Sequence, residues 1–363
     1  MKIVSPFLKR VLYPSLSVAG IFRGISSPGL AVVTYHGVRP PGYQPVDAAF
    51  DGNLVSADVL RQQLRLLKAH YRVISPDDVL GWIERQRELP LRAVLLTCDD
   101  GLLNCLTDML PVLQEEGVKC LFFVTGASTA ESRSTLWYEE LFLLLLRARA
   151  GAFEISSEGI AIQGVLGSRE ERRALWWDAV RRLSPVNEES RTSFLGALRV
   201  HFGVELLAST FEKNPVSCRR FGLLTSAEVR ELAAAGMTIG AHTLSHPMLS
   251  LMPPDLAYAE ISESRAKIES TLQEQVWAFA YPFGDPQSVT LQVLGMPQQA
   301  GYKAAFLNFG GGLGSELPPF ALPRVHVTDG MSVAELDAHV SGFYARLQRG
   351  VGRRAKIVGR TRA

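Results

Sequence analysis

The stretch Ala93-Val94-Leu95-Leu96-Thr97-Cys98-Asp99-Asp100-Gly101 constrains this chain more than any other. An apolar run of strand length ends in two adjacent carboxylates and a glycine that permits a tight turn. Charged groups at the end of a buried strand are costly unless something uses them. Two ionised carboxylates side by side repel, and a bound cation relieves the repulsion. Taken alone, Asp99 and Asp100 read as helix caps, since Asp is favoured at that position.

A second stretch changes the balance. Met237–Ala241 is a short strand candidate, followed by His242-Thr243-Leu244-Ser245-His246-Pro247. Histidines four residues apart face the same way on a helical turn. That spacing suits one transition metal, with imidazole nitrogens at about 2.0–2.1 Å from zinc. Adding a carboxylate makes a two-His, one-Asp site with positions left for water, the plan of a catalytic site. Spacing does not say which Asp is the ligand. Among the seven histidines, His70, His201 and His339 lie in helix-like or turn segments with no neighbouring ligand and read as surface or structural.

Strands and helices alternate around these motifs. Leu30–Tyr35 is a strand candidate ending in His36-Gly37-Val38, and Arg39–Asn53 is a long polar loop of the kind that borders grooves. Ser56–His70 has helical spacing with Ser56 as cap, Arg72–Ile74 is a short strand, and a helix opens at Ser75-Pro76 and runs through Glu88. Cys105–Glu116 is helical and stops at Gly117; Cys120–Val124 is a strand. Later come a helix over Thr225–Ala235, a helix over Pro254–Leu272, and strands at Val276–Tyr281, Tyr302–Leu307 and Leu322–Val327. A closing helix spans Ser332–Gln348. Such alternation implies a parallel sheet or barrel. The segment from Gly126 to about Arg220 breaks the rhythm. It offers an apolar helix over Trp137–Arg149, a weak hairpin over Phe153–Ile162, and amphipathic helices over Arg169–Leu183 and Glu188–His201. Trp176 and Trp177 are candidates for sugar stacking, with helix-core packing expected of at least one.

Three of these stretches resemble the first three motifs of the polysaccharide deacetylases, the NodB-homology proteins of carbohydrate esterase family 4. They are Thr97-Cys98-Asp99-Asp100-Gly101, His242-Thr243-Leu244-Ser245-His246 and Ala280-Tyr281-Pro282-Phe283-Gly284, in the family's order, each after a strand candidate. The resemblance covers roughly Pro28–Phe123 and Phe221–Asp329. It implies an α/β fold, an incomplete (β/α)7-type, TIM-like barrel with active groups at the C-terminal strand ends. The domain reading is an amphipathic lead-in (1–27), a discontinuous deacetylase domain (28–125 and 221–345), a mostly helical insertion (126–220) and a basic tail (346–363).

The resemblance also implies roles. Asp100, His242 and His246 hold the metal, Zn or another divalent transition metal, which acidifies its water and polarises the substrate carbonyl. Asp99 is the general base, and the amide of Phe283 holds the oxyanion, with Pro282 fixing the turn. Tyr35, Tyr281 and Pro282 are candidate substrate contacts. The sequence departs from the common pattern at the general acid. The family's late Leu-x-His becomes Leu322-Pro323-Arg324-Val325-His326, while Tyr35-His36-Gly37 resembles an exopolysaccharide-deacetylase subgroup in which an early His serves. His36 is the preferred acid and His326 the runner-up, with an outward-alternating His326 as the plain alternative. The Arg that many members carry in the third motif is missing, and Arg324 is the candidate replacement that holds Asp99 ionised. Cys98 stands where Phe is common and should point away from the site.

Net charge is +2 over 363 residues, which gives no bulk signal for nucleic acid. The four cysteines show no disulfide or CxxC spacing, which favours a reducing compartment. The expected location is cytoplasmic or membrane-associated, with the envelope open. Lys2, Lys9 and Arg10 precede an apolar stretch, Val11–Phe22, too short to span a bilayer and interrupted by Pro14. It reads as an amphipathic lead-in packed on the domain or lying on a membrane. The tail from Arg346 to Arg362 reads as a solvated end, with contact to anionic lipid as the alternative. The expected activity is metal-dependent removal of acetyl groups from N-acetylated sugars of a polysaccharide or its lipid-linked precursor. An O-deacetylase and an inactive carbohydrate-binding protein on the same fold are the competing readings.

Overall fold

The computed structural model describes residues 8–24, 29–211, 213–314 and 317–347. The start of the lead-in and most of the basic tail lie outside the described residues. The strands are β1 (Leu30–Tyr35), β2 (Arg72–Val73), β3 (Ala93–Cys98), β4 (Leu121–Val124), β5 (Gly151–Ser157), β6 (Ile160–Leu166), β7 (Thr238–Ala241), β8 (Ala278–Ala280), β9 (Ala304–Gly310) and β10 (Leu322–His326). Seven of them close into a parallel ring in the order β1-β3-β4-β7-β8-β9-β10 and back to β1. The barrel is one strand short of eight. β2 pairs with the start of β3, beside Ala93 and Val94, where β4 has not yet begun.

Strand parity decides what the site contains. Leu30 and Val32 of β1, Ala93 and Leu95 of β3, Leu121 and Phe123 of β4, Ala278 and Ala280 of β8, Phe306 and Leu322 pack together inside the ring. The alternate residues, among them Val33, Tyr35, Leu96, Cys98, Phe279 and Tyr281, face the surrounding helices. Successive side chains take opposite faces, so each inward series carries on into the strand end. Thr34 leads to His36, Thr97 to Asp99, Gly240 to His242 and Leu322 to Arg324 and His326.

The helices around the ring are α4 (Ala57–His70), α5 (Pro76–Ile83), α6 (Leu110–Glu116), α11 (Ser226–Ala234), α12 (Pro254–Leu272), α13 (Leu291–Gln299) and α14 (Val333–Val340). Ser56 caps α4, and Ser75 and Thr225 form capping boxes with Asp78 and Glu228, which satisfies donors that a helix start leaves free. Several elements differ from the sequence reading. α5 ends at Ile83 rather than Glu88, and the helix expected from Cys105 begins with a π turn over Cys105–Met109. α14 breaks at Ser341-Gly342, where Gly342 has φ +76°. α13, absent from the sequence reading, contains Pro297, which withholds one backbone donor from its last turn.

The segment after β4 builds a second apolar core. It joins α7 (Trp137–Arg147), the β5–β6 hairpin, α8 (Arg169–Leu183), α9 (Glu188–Phe202) and α10 (Pro215–Phe221). Phe50 of α3 (Ala48–Asp51) stacks on Phe142 of α7 at 4.2 Å, which seats the long loop after β1 on this core. The lead-in forms α1 (Tyr13–Val18) and α2 (Ile21–Gly24), whose Tyr13 and Phe22 are fully buried with Ala338 of α14. Among the described residues no helix is long and apolar enough to cross a membrane.

Candidate active site

The barrel interior is closed beneath the site by an ion pair. Arg324 is 0% exposed, and its guanidinium donates from Nη1 to Asp99 Oδ1 at 2.7 Å and from Nη2 to Asp99 Oδ2 at 2.5 Å. Nε donates to the Leu307 carbonyl at 2.7 Å and Nη1 also reaches Thr97 Oγ1 at 3.2 Å, so the fork is held on three sides. Gly240 leaves room for the Phe123 ring, over which the Arg324 guanidinium lies at 5.4 Å. Burial pushes Asp99 upward, but the charge of Arg324, then His242 and His36, hold its carboxyl below the ordinary value.

Asp100, His242 and His246 form the other half. Their ligating atoms all lie within 4.8 Å of one another and all three residues are buried. The two Nε2 atoms converge on one oxygen, Asp100 Oδ1, at 3.6 Å from His242 and 3.4 Å from His246. His242 Nδ1 lies 2.7 Å from the Ala280 carbonyl, which requires the proton on Nδ1 and leaves the Nε2 lone pair facing Asp100. These donors suit a divalent transition metal with positions left open. Burial raises the Asp100 carboxyl, yet hydrogen bonding from His242 and His246 brings it well below the usual range. Backbone strain gathers here: Asp100, Thr243, His246 and Phe283 have φ of +78°, +64°, +61° and +59°. For non-glycine residues this region costs of order 1–3 kcal/mol each, and it persists where surroundings impose it. Gly101, at φ +70°, completes the tight turn after the two carboxylates.

His36 and His326 come together across from the metal ligands. Their ring centroids are 4.8 Å apart, and His36 Nε2 lies 4.0 Å from Asp99 Oδ2. His326 does not alternate outward; parity places it inside with Arg324. His36 Nδ1 and His326 Nε2 are buried without a partner among the described residues. Burial, reinforced by His36, pushes His326 down to about 3. Gly37 follows His36 at φ +116°, and a Cβ there would meet Asn104 Oδ1 at 2.0 Å. That amide oxygen accepts from Val38 N at 3.0 Å and pins the turn.

The third motif lies alongside. The Phe283 ring is 5.0 Å from that of His246 and 5.7 Å from that of Tyr138. Tyr138 also lies 4.8 Å from His246, and Trp177 lies 6.0 Å from Phe283. Of the two tryptophans, Trp176 is core and donates to the Tyr138 carbonyl at 2.7 Å, while Trp177 is half-buried beside Phe283. Pro282 is buried at the β8 end. The expected side-chain contacts of Tyr35 and Tyr281 with substrate need correction. Both rings take the outward parity into the helix-facing core. Tyr35 donates to Gln63 at 3.0 Å, and Tyr281 to the Phe320 carbonyl at 2.9 Å. What Tyr35 gives the site is its carbonyl, which accepts from Asp99 N at 3.0 Å.

Sequence reasoning missed three supports. Tyr138, at the start of α7, packs its ring at a tilt against His246. Trp137 Nε1 donates to the His246 carbonyl at 3.3 Å. Arg191 of α9 is 1% exposed and donates to Ser245 Oγ, which donates onward to Glu260 Oε1 at 2.5 Å. Arg191 also lies over the Trp137 ring at 4.8 Å. No local pattern marks these residues, because each contact joins segments far apart in the chain.

Comparison with known proteins agrees with this architecture. The sequence model of the family described as polysaccharide deacetylase matches residues 86–164 and 193–305. "Putative polysaccharide deacetylase YxkH" of Bacillus subtilis (strain 168) is 26% identical over 120 residues, which is 33% of this chain and 42% of that protein. The chain thus spans less than half the length of that curated relative. Among solved structures, the Streptococcus pyogenes deacetylase PplD in complex with acetate superposes with a TM-score of 0.53 at 17% identity, over 86% of this chain and 99% of that one. IcaB from Ammonifex degensii gives 0.53 at 18% identity, over 86% and 97%. At such identities the likeness shows the fold. The family model, by contrast, spans more than half of the sequence, and the chain belongs to the polysaccharide deacetylase family.

Proposed function

We propose that the protein is a metal-dependent hydrolase that removes acetyl groups from N-acetylated sugars of a polysaccharide or its lipid-linked precursor. The observation that carries this reading is the pairing of two unlike carboxylates. Asp100 faces two histidines, while Asp99, one residue away, is locked ionised by Arg324 and points to the same space. Asp100, His242 and His246 are the residues to hold the ion, with zinc the expected occupant. A divalent ion held there supplies a Lewis acid for the acetyl carbonyl and acidifies the attacking water.

The chain's own residues then divide the proton work. Asp99 accepts the proton of the attacking water, and its depressed pKa keeps it ionised and ready at neutral pH. The Phe283 amide, turned by the left-handed conformation after Pro282, donates to the oxygen that gains negative charge. The leaving amine needs a proton. Burial holds His326 neutral at that pH, so His36, whose Nε2 lies 4.0 Å from Asp99 Oδ2, is assigned as the acid, with the His326 ring tilted against it. Trp177 and the Phe283 ring offer an apolar face for a sugar ring.

The test is acetate release from N-acetylglucosamine oligomers and from O-acetylated glycans by the zinc-loaded enzyme. Asp99→Asn and His36→Ala should each lower kcat about 10²–10⁴-fold with metal content unchanged. Loss in His326→Ala with His36→Ala active would move the acid to His326. Release from O-acetyl substrates alone would make the protein an O-deacetylase. Metal bound without release from either class would replace the enzyme by a carbohydrate-binding protein.

A further inference from the structure

Tyr35 and Tyr281 turn away from the site, but a tyrosine from outside the barrel turns toward it. Tyr138 stands in α7 and packs against the helix-facing core of the barrel and the second core at once. Its ring lies 4.8 Å from that of His246, 5.7 Å from Phe283, 6.0 Å from Trp137 and 6.4 Å from Trp176. Trp176 Nε1 donates to its backbone carbonyl at 2.7 Å, so main chain and ring are both fixed. A ring held this way aims its hydroxyl in one direction.

That direction is the space in front of the carboxylates. Among the described residues Tyr138 Oη has no hydrogen-bond partner, and the atom is accessible rather than buried. Burial of the residue raises the hydroxyl well above its ordinary value, and among the charges Asp100 adds most, ahead of Glu139 in the same helix and of Asp99. Charge effects fall with distance, so the hydroxyl shares its open space with Asp100. Asp99, His36 and His326 gather beside Arg324, where the proton transfers are assigned. Tyr138 packs instead on His246 and Phe283, the side on which the Phe283 amide meets the oxygen that gains charge.

We propose that Tyr138 is a further catalytic residue, whose hydroxyl donates a hydrogen bond to the acetyl oxygen as negative charge builds on it; this rests on the deacetylase reading. The phenol keeps its proton throughout, and no bond to it forms or breaks. A fixed donor aimed where charge develops stabilises the transition state more than the ground state. The Phe283 amide and the Tyr138 hydroxyl then approach the oxygen from two different segments. The helical insertion thereby supplies a group to the chemistry as well as a wall to the site.

The test compares zinc-loaded wild type, Tyr138→Phe and His36→Ala on N-acetylglucosamine oligomers and on 4-nitrophenyl acetate, an ester whose leaving group needs no proton. A donor to the acetyl oxygen serves both substrates. Tyr138→Phe should therefore lower kcat about 10²-fold on each, with KM close to the parent's. His36→Ala should lose far more on the oligomer than on the ester. Tyr138→Phe keeps the ring, so its circular dichroism and zinc content should be those of the parent. Parental rates on both substrates overturn the proposal and leave the deacetylase reading standing. A loss confined to the oligomer also overturns it: a raised KM would make Tyr138 a sugar contact, and a lowered kcat a proton donor to the amine. Loss of zinc from Tyr138→Phe would assign the hydroxyl to the metal site instead. A wild type that hydrolyses neither substrate overturns the deacetylase reading and this proposal with it.

Discussion

Arg324 places a full positive charge in the middle of a barrel whose other inward residues are mostly apolar. Among the described residues its charge is balanced at close range by Asp99 alone, so the two act as one unit. Removing one partner of a buried pair leaves the other uncompensated and costs about 3–5 kcal/mol. Arg324→Met should therefore lower both stability and turnover while metal content stays that of the parent. Burial of Asp99 would then be opposed only by His242 and His36, and the acid limb of the kcat profile should move to higher pH. Arg324→Lys keeps the charge without the fork and should shift that limb less. An unmoved limb in Arg324→Met would remove Arg324 from the mechanism. The pairing was foreseeable as chemistry, since a buried carboxylate needs a cation. What sequence reading left open was direction. Counting parity from Leu322 puts Arg324 and His326 inward, and counting from Phe279 puts Tyr281 outward. The same count, applied to Tyr35, corrects the second tyrosine.

At the level of elements, the His242–His246 turn is short and strained, and it is steadied from outside the barrel. α9 supplies Arg191, α7 supplies Trp137, and α12 supplies Glu260, all meeting around Ser245 and the His246 backbone. Arg191→Met should weaken zinc affinity about 10–100-fold, measured by competition with a chelator, while Arg191→Lys recovers part of it. Unchanged affinity would leave α9 a packing helix only. The helices themselves were largely legible. Ser56, Ser168 and Thr225 announce their starts and Gly117 and Gly203 their ends, because caps are local chemistry. The contacts around Ser245 were not, because they join residues 54 and 15 positions apart with no periodic signal. α10 escaped for a related reason: its seven residues are too few to show a period.

Across the whole molecule, the second core is tied to the barrel by a buried charge cluster. Arg220 of α10 donates to Asp51 and Glu139, each at 2.9 Å, and so links the loop after β1 to α7. Burial above all, with Asp100 and Asp51 adding, pushes Glu139 from 4.5 up to about 7 despite Arg220. Its native carboxyl holds a proton more tightly than the unfolded one. The stabilisation is therefore complete below the unfolded value and lost as pH rises through about 7. Tm followed from about pH 5 to about pH 8 should fall, and Glu139→Gln should flatten the fall. An unchanged slope would place the effect elsewhere. The two ends of the barrel also set a distance. From Leu30 to His36 the chain runs ~20 Å along the strand, which is ~16 Å along a barrel axis from which strands tilt by about 36°. The end where the chain enters β1 therefore lies well away from the space between His36 and the metal-ligand candidates. In that geometry the end that holds the reacting groups and the end that only stabilises the barrel can change independently.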